Sequence, residues 1–190
     1  IPHKWKSPAE ELSASLLNGD HEKSLKVADE NVISEQDIGG FFEYVVRPAM
    51  YRVGNKWQKG DISVAEEHLA SSMVSRVIST LYSRFVTFEE TKGKAVVTAV
   101  ANEFHEIGSR IIADSLELDG WDVAHLGVDT PKSDLVNLLL EEKPALLGLS
   151  LAIPFNLDAA AETIGMIRDK PKLDDVKILI GGKAFNDHPD

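Results

Sequence analysis

Cysteine is absent from the chain, which excludes disulfide frameworks and thiolate metal sites and fits a cytoplasmic setting. No apolar run is long enough to span a bilayer and no signal-like segment opens the sequence, so no membrane partner is expected. Basic residues are in the minority, with 20 Lys and Arg against 31 Asp and Glu in 190 residues, a formal charge of −11. That balance repels a phosphate backbone and argues against direct nucleic-acid binding by this part of the chain. Glycine motifs that cradle phosphates are missing too: the first strand-to-helix loop has neither G-x-G-x-x-G nor a P-loop. The third strand ends on Ser150 where a phosphate-accepting receiver domain would need aspartate. No internal repeat or low-complexity stretch is visible.

What is present in the first half is helix punctuation. Ser7-Pro8-Ala9-Glu10 combines an N-cap, a proline at the first helical position and a capping-box acid, and Gly19 closes the short helix that follows. Asp20 starts a second helix. Ser34 with Asp37 caps a third, in which Ile38, Phe41, Phe42, Val45 and Val46 recur at helical spacing toward Tyr51 and Trp57, with Pro48 placed to bend it. After Gly60-Asp61, a second capping box, Ser63-Val64-Ala65-Glu66, opens a long helix through Leu69, Met73, Val77 and Leu81. Four helices with short connections predict an antiparallel bundle. The polar stretch Glu89 to Gly93 reads as a linker, dividing the chain into a helical bundle over residues 1–90 and a second domain over 91–190.

The second half alternates. Strand patterns near 94–101, 122–126, 145–150 and 177–180, the first an apolar, β-branched run, are separated by helical patterns near 108–119, 132–142 and 156–170, with Gly120, Pro131 and Pro144 between them. That rhythm predicts a doubly wound, Rossmann-like parallel sheet of flavodoxin type.

Glu103-Phe104-His105-Glu106-Ile107-Gly108 follows the first strand, so His105 falls on a strand-to-helix loop at the carboxyl edge, with Gly108 opening the helix. Ligands bind at that edge in open α/β sheets, and a carboxylate two residues from a histidine can hold one ring nitrogen while the other faces a metal. Taken alone, E-x-H-x-x-G is a weak pattern that reads more simply as a polar loop. Ser150 and Ala152 follow the third strand and Gly181-Gly182 the fourth; a glycine pair there is also an ordinary strand-end turn. Of the other histidines, His3 and His21 lie in polar helical contexts, His125 ends the second strand and His188 falls in the polar tail. None has metal-ligand spacing. Trp5 and Trp121 carry no motif, and Trp121 most simply covers one edge of the sheet.

In order, E-x-H-x-x-G, Ser150-x-Ala152 and Gly181-Gly182 resemble the D-x-H-x-x-G, S-x-L and G-G elements of cobalamin-binding domains, over Lys94 to the C-terminus. Glu103 stands in place of aspartate and Ala152 in place of leucine. The resemblance implies that His105 replaces the dimethylbenzimidazole of the cofactor as lower axial ligand of cobalt, with Glu103 and then Ser150 supporting it. The displaced nucleotide tail would thread into a slot lined by Gly108, Gly181 and Gly182. The chain begins at Ile1 and stops before the last strand and helix such a sheet would have, so it reads as an excerpt truncated at its C-terminus.

Trp57 is followed after nine residues by Glu67-His68. An aromatic at a helix end is often core, an acid in a first turn often complements the helix dipole, and His68 is then a surface residue. Together W-x9-E-H resembles the bundle of light-sensing cobalamin-dependent regulators, in which the tryptophan and glutamate surround the adenosyl group above the corrin. That resemblance implies adenosylcobalamin, with methylcobalamin as the other candidate, light-driven loss of the upper ligand, and a homo-oligomer or attached output domain that responds. Members that form a two-histidine photoproduct have histidine after the tryptophan; Gln58 stands there in this chain, leaving water or His68 as the upper ligand after illumination. Two other readings stand beside this sensory one: a corrinoid carrier for methyl transfer, whose partner enzymes do the chemistry, and a metabolite-binding structural domain. In none of the three is the chain itself an enzyme.

Overall fold

The computed structural model describes residues 1–86 and 92–187, and the described residues form two compact units, one over residues 1–86 and one over the rest. Most of the linker read at Glu89 to Gly93, and His188, lie outside the described residues.

The first unit is helical: α1 (His3–Leu17), α2 (His21–Asn31), α3 (Glu35–Phe41), α4 (Arg47–Gln58) and α5 (Val64–Phe85). Helix α1 starts a turn earlier than its punctuation predicts, with Pro2 as N-cap and Pro8 inside the helix. Ser7 donates to Glu11 Oε1 at 2.8 Å instead of capping. The extra turn carries Trp5, which is buried edge-on against Phe41 at a centroid distance of 6.2 Å. A Cβ on Gly40 would meet that indole at 2.9 Å, so glycine is what lets it dock. Burying an indole is worth a few kcal/mol, enough to offset the roughly 3 kcal/mol that an internal proline costs. The predicted third helix runs unbroken as α3, a π-helical turn at Phe42–Val46, and α4. Arg47 N–H bonds Phe42 O five residues back, directly before Pro48, so the distortion expected at that proline takes the form of a π turn. The Ser63 box forms as predicted: Glu66 accepts from Ser63 N–H at 2.7 Å and Ser63 Oγ accepts from Glu66 N–H at 3.2 Å. Leu12, Leu16, Phe41, Met73, Ile78 and Leu81 are fully buried and hold the bundle together by apolar burial.

The second unit is β1 (Lys94–Ala99), α6 (Glu106–Leu118), β2 (Asp122–His125), α7 (Lys132–Glu142), β3 (Leu146–Ser150), α8 (Leu157–Arg168), β4 (Lys177–Gly181) and α9 (Lys183–Asp187). The strands are all parallel, in the order β2-β1-β3-β4. Val96, Leu147 and Leu149 share one buried cluster with Leu135, Val136 and Leu139 of α7 and Ala160 and Ile167 of α8. Helix α6 contributes nothing to that cluster and packs across β1, β2 and β3. Both faces of the sheet are therefore covered, which is why the central strands read as continuous apolar runs. Because β1 pairs with β2 on one side and β3 on the other, the chain leaves β1 and β3 in opposite directions, and a crevice opens at their carboxyl ends.

One buried group sits outside that crevice. Among the described residues, Asp114 of α6 has no hydrogen bond to Oδ2, which lies 3.7 Å from Arg110 Nε. Burial raises its pKa from 3.8 to about 6, against the pull of Arg110. The folded state thus holds this proton more tightly than the unfolded chain, so its contribution is full below pH 3.8 and is lost as pH rises through about 6. Asp114→Asn should raise stability at neutral pH by about 1–3 kcal/mol. Melting curves of both proteins from acid to neutral pH check it: the two should converge on the acid side, and a constant gap would contradict the buried-charge account.

Candidate functional site

The residues read from sequence as a ligand site in the second half fall at the β1 and β3 switch point. Ala99, Ser150 and Gly181 occupy one row at the carboxyl ends of β1, β3 and β4. Beyond this row the β1–α6 loop carries Glu103 and His105. Its course is fixed by Asn102 at φ 64°, whose N–H bonds Asp129 Oδ1 at 2.8 Å, and by Asp129 N–H bonding Glu103 O at 3.0 Å. Thr98 and Thr130 hydroxyls, 2.7 Å apart, tie β1 to the loop that carries Asp129.

Glu103 is fully buried while the His105 side chain is 58% exposed. Their side chains meet at 2.5 Å between Glu103 Oε1 and His105 Nδ1. Burial by itself raises the Glu103 pKa, but hydrogen bonds from the His105 ring and the Ala152, Ile153 and His105 amides outweigh it and hold the group down at about 2. The carboxylate is therefore ionised and His105 Nδ1–H is the donor. A metal taken by this ring coordinates through Nε2, with a basicity raised by the carboxylate behind it.

The other carboxylate oxygen shows where the sequence reading needs correction. Glu103 Oε2 accepts from Ala152 N–H at 2.9 Å, Ile153 N–H at 3.1 Å and Asn156 Nδ2 at 3.3 Å. Ser150, expected to support His105, makes no side-chain hydrogen bond to Glu103 or His105 among the described residues. The carboxylate thus engages the loop beyond the end of β3. Ala152 acts through its backbone N–H, so its small side chain matters less than its position. Asn156 was read only as the start of a helix; its burial could not be seen in a local pattern.

The glycines divide. Gly108 does not open the helix: His105, in an extended conformation, is the N-cap, and α6 begins at Glu106. A Cβ on Gly108 would lie 3.6 Å from Ser150 Oγ, whereas one on Gly181 would meet nothing within 4 Å. Gly182 has φ +124° and its Cβ would fall 2.1 Å from Leu151 O. Its glycine is demanded by the protein's own backbone, not by a ligand.

Around His105 the edge is apolar, with Phe104, Ile153 and Phe155 exposed, the last at 90%. Among the described residues no group of three or more His, Cys, Asp or Glu side chains is placed to hold a bare metal ion. A single imidazole fixed by a carboxylate in an apolar rim fits a metal whose other positions are filled by a ring ligand.

In the first unit Trp57 ends α4 with 44% of its surface exposed, and Glu67 lies in the first turn of α5. Glu67 is held by its own helix: Oε2 is 2.7 Å from His68 Nδ1 and Oε1 accepts from Ser71 Oγ at 2.7 Å. Of the remaining histidines, His3 and His21 begin α1 and α2. His125 ends β2 with Nε2 3.1 Å from Ser109 Oγ, and burial lowers its pKa. Trp121 packs beside Gly93.

Comparison with known proteins gives two matching families, both described as B12 binding domains, one over residues 93–190 and the other over residues 8–82. The chain is 28% identical over 181 residues to the HTH-type transcriptional repressor CarH of Myxococcus xanthus, spanning 94% of this chain but only 58% of the repressor's length. It is 22% identical over 175 residues to dimethylamine corrinoid protein 1 of Methanosarcina mazei, covering 91% of this chain and 81% of that protein. Among solved structures, the monomethylamine corrinoid protein of Methanosarcina barkeri aligns with a TM-score of 0.81 at 18% identity, over 94% of this chain and 85% of that one. At that identity the likeness speaks for the fold.

Proposed function

The chain belongs to the B12 binding domain family, and on that premise we propose that it is a sensory module holding adenosylcobalamin through His105. The observation that carries the cofactor half is the His105–Glu103 pair, an ionised buried carboxylate on Nδ1 of an exposed imidazole at the sheet's switch point. Phe104, Ile153 and Phe155 offer apolar surface to a macrocycle, and Gly181 leaves room at the end of β4. When bound, adenosylcobalamin would supply a light-sensitive cobalt–carbon bond. The sensory half rests on Trp57 and Glu67: a half-exposed indole face suits an adenine, and a carboxylate already oriented by His68 and Ser71 suits hydroxyl or amine donors. Loss of the ligand they recognise would shift the chain between assembly states and drive an attached transcriptional output.

A methyl-carrier reading is favoured by a different observation. The chain covers 81% of a dimethylamine corrinoid protein, and Gln58 follows Trp57 where imidazole coordination after illumination would need histidine. One illumination series separates the two. Absorption spectra with adenosyl- and methylcobalamin, and size-exclusion profiles before and after green light, should show a base-off, histidine-on cofactor and a light-dependent change in elution. Trp57→Ala should weaken the preference for adenosylcobalamin by about tenfold, the scale of one aromatic contact, without abolishing binding. An elution profile indifferent to light, with Trp57→Ala taking both cobalamins normally, would favour the carrier.

A further inference from the structure

The geometry points to Asn156 as a positioning residue for the His105 imidazole, acting through Glu103. Its amide is buried at the junction of a 3-10 turn, Pro154–Asn156, and α8. Nδ2 uses one hydrogen on Asn102 O at 3.1 Å and is 3.3 Å from Glu103 Oε2. Both neighbours are acceptors only, so the NH2 group, not the carbonyl, must face them. Asn156 is the one side chain among the described residues that meets Glu103 Oε2; its other donors there are the Ala152 and Ile153 amides. The same amide secures Asn102, whose φ of 64° turns the loop before Glu103. Asn156 therefore fixes both the backbone that delivers Glu103 and the direction its carboxylate points. That direction decides whether His105 Nδ1 carries the proton and whether Nε2 presents its lone pair to a metal.

This arrangement follows from glutamate at position 103. Its carboxylate bypasses Ser150 and finds its support in the loop between β3 and α8, where Asn156 contributes what no backbone amide can, a donor shared between carboxylate and loop.

The consequence for metal coordination rests on the reading of His105 as the cobalt ligand; the consequence for the ring's tautomer does not. Four proteins test it: wild type, Asn156→Ala, Asn156→Asp, and Thr163→Val, which removes a buried hydroxyl that bonds Ala159 O within α8 and controls for the loss of a buried polar group away from Glu103. In protein without cofactor, nitrogen NMR of the His105 ring should show the Nδ1–H tautomer in wild type and Thr163→Val, and a larger Nε2–H share in both Asn156 variants. Asn156→Asp should be the more affected, since it sets oxygen against two acceptors. With cobalamin reduced to the paramagnetic cobalt state, both Asn156 variants should bind at least about tenfold more weakly and lose part of the nitrogen splitting, the scale expected when support behind a metal-bound histidine is removed. If both keep the wild-type tautomer and merely melt lower, Asn156 is structural and the inference is overturned. If wild type itself shows no nitrogen splitting, the proposed function fails while the tautomer result still judges Asn156.

Discussion

Replacing His105 with alanine should remove the nitrogen splitting from the spectrum of the reduced cobalt state. It should also weaken cobalamin binding by more than the roughly 10- to 100-fold typical of losing a group that merely supports a ligand. The protein should still fold. The imidazole is more than half exposed, and Glu103 without it keeps its bonds to the Ala152, Ile153 and Asn156 donors. Unchanged affinity with the splitting retained would show that another group ligates the metal. Glu103→Gln is the companion variant, and its expected damage follows from donor arithmetic. Oε1 accepts from the His105 amide and ring, and Oε2 from Ala152, Ile153 and Asn156. A carboxylate accepts on both edges, whereas an amide must turn an NH2 group toward one of them. Whichever edge it chooses, donors face donors in a buried site, at about 1–3 kcal/mol for each group left unsatisfied. Glutamine there should lower the melting temperature and the affinity together, a combination His105→Ala should not show.

Those contacts also mark the limit of what was legible in the sequence. Helix α7 was readable at both ends, since Pro131 precedes it and Pro144 follows it. The central strands β1 and β3 were readable because both faces of the sheet are covered there and their residues are mostly apolar. Glu103 and His105 lie close in sequence, so their pairing was visible as a motif. What failed depends on contacts across many residues. Pro8 looks like a helix start until Trp5 is seen docking on Phe41. Ser150 looks like the support for the pair until the longer glutamate is seen to reach Ala152, Ile153 and Asn156, some fifty residues on. These partners lie some fifty residues beyond the carboxylate they hold, and no local pattern records such a contact.

Gly182→Ala should be the most damaging single-methyl change in the second unit. The added Cβ would lie 2.1 Å from Leu151 O, 2.8 Å from its carbonyl carbon and 3.0 Å from its nitrogen, and every one of these is backbone that no rotamer can move aside. A φ of +124° adds strain that alanine, unlike glycine, does not tolerate. Overpacking and backbone strain cost about 1–3 kcal/mol each, so a loss of several kcal/mol is expected. Leu151 cannot yield cheaply: its N–H bonds Gly181 O at 2.9 Å, and the next two residues supply the amides that hold Glu103. Any relief of the clash therefore pulls on the His105 support, and whatever protein folds should also bind cobalamin poorly. Gly181→Ala is the comparison that separates fold from ligand. Its Cβ meets nothing within 4 Å, so its melting temperature should stay near wild type, and Gly181→Leu, filling the same space, should lose affinity with little loss of stability. Denaturant melts and absorbance titrations on the three variants give both readouts. A Gly182→Ala protein that melts with wild type would refute the backbone argument, and a Gly181→Leu protein that binds as well as wild type would remove Gly181 from the ligand slot.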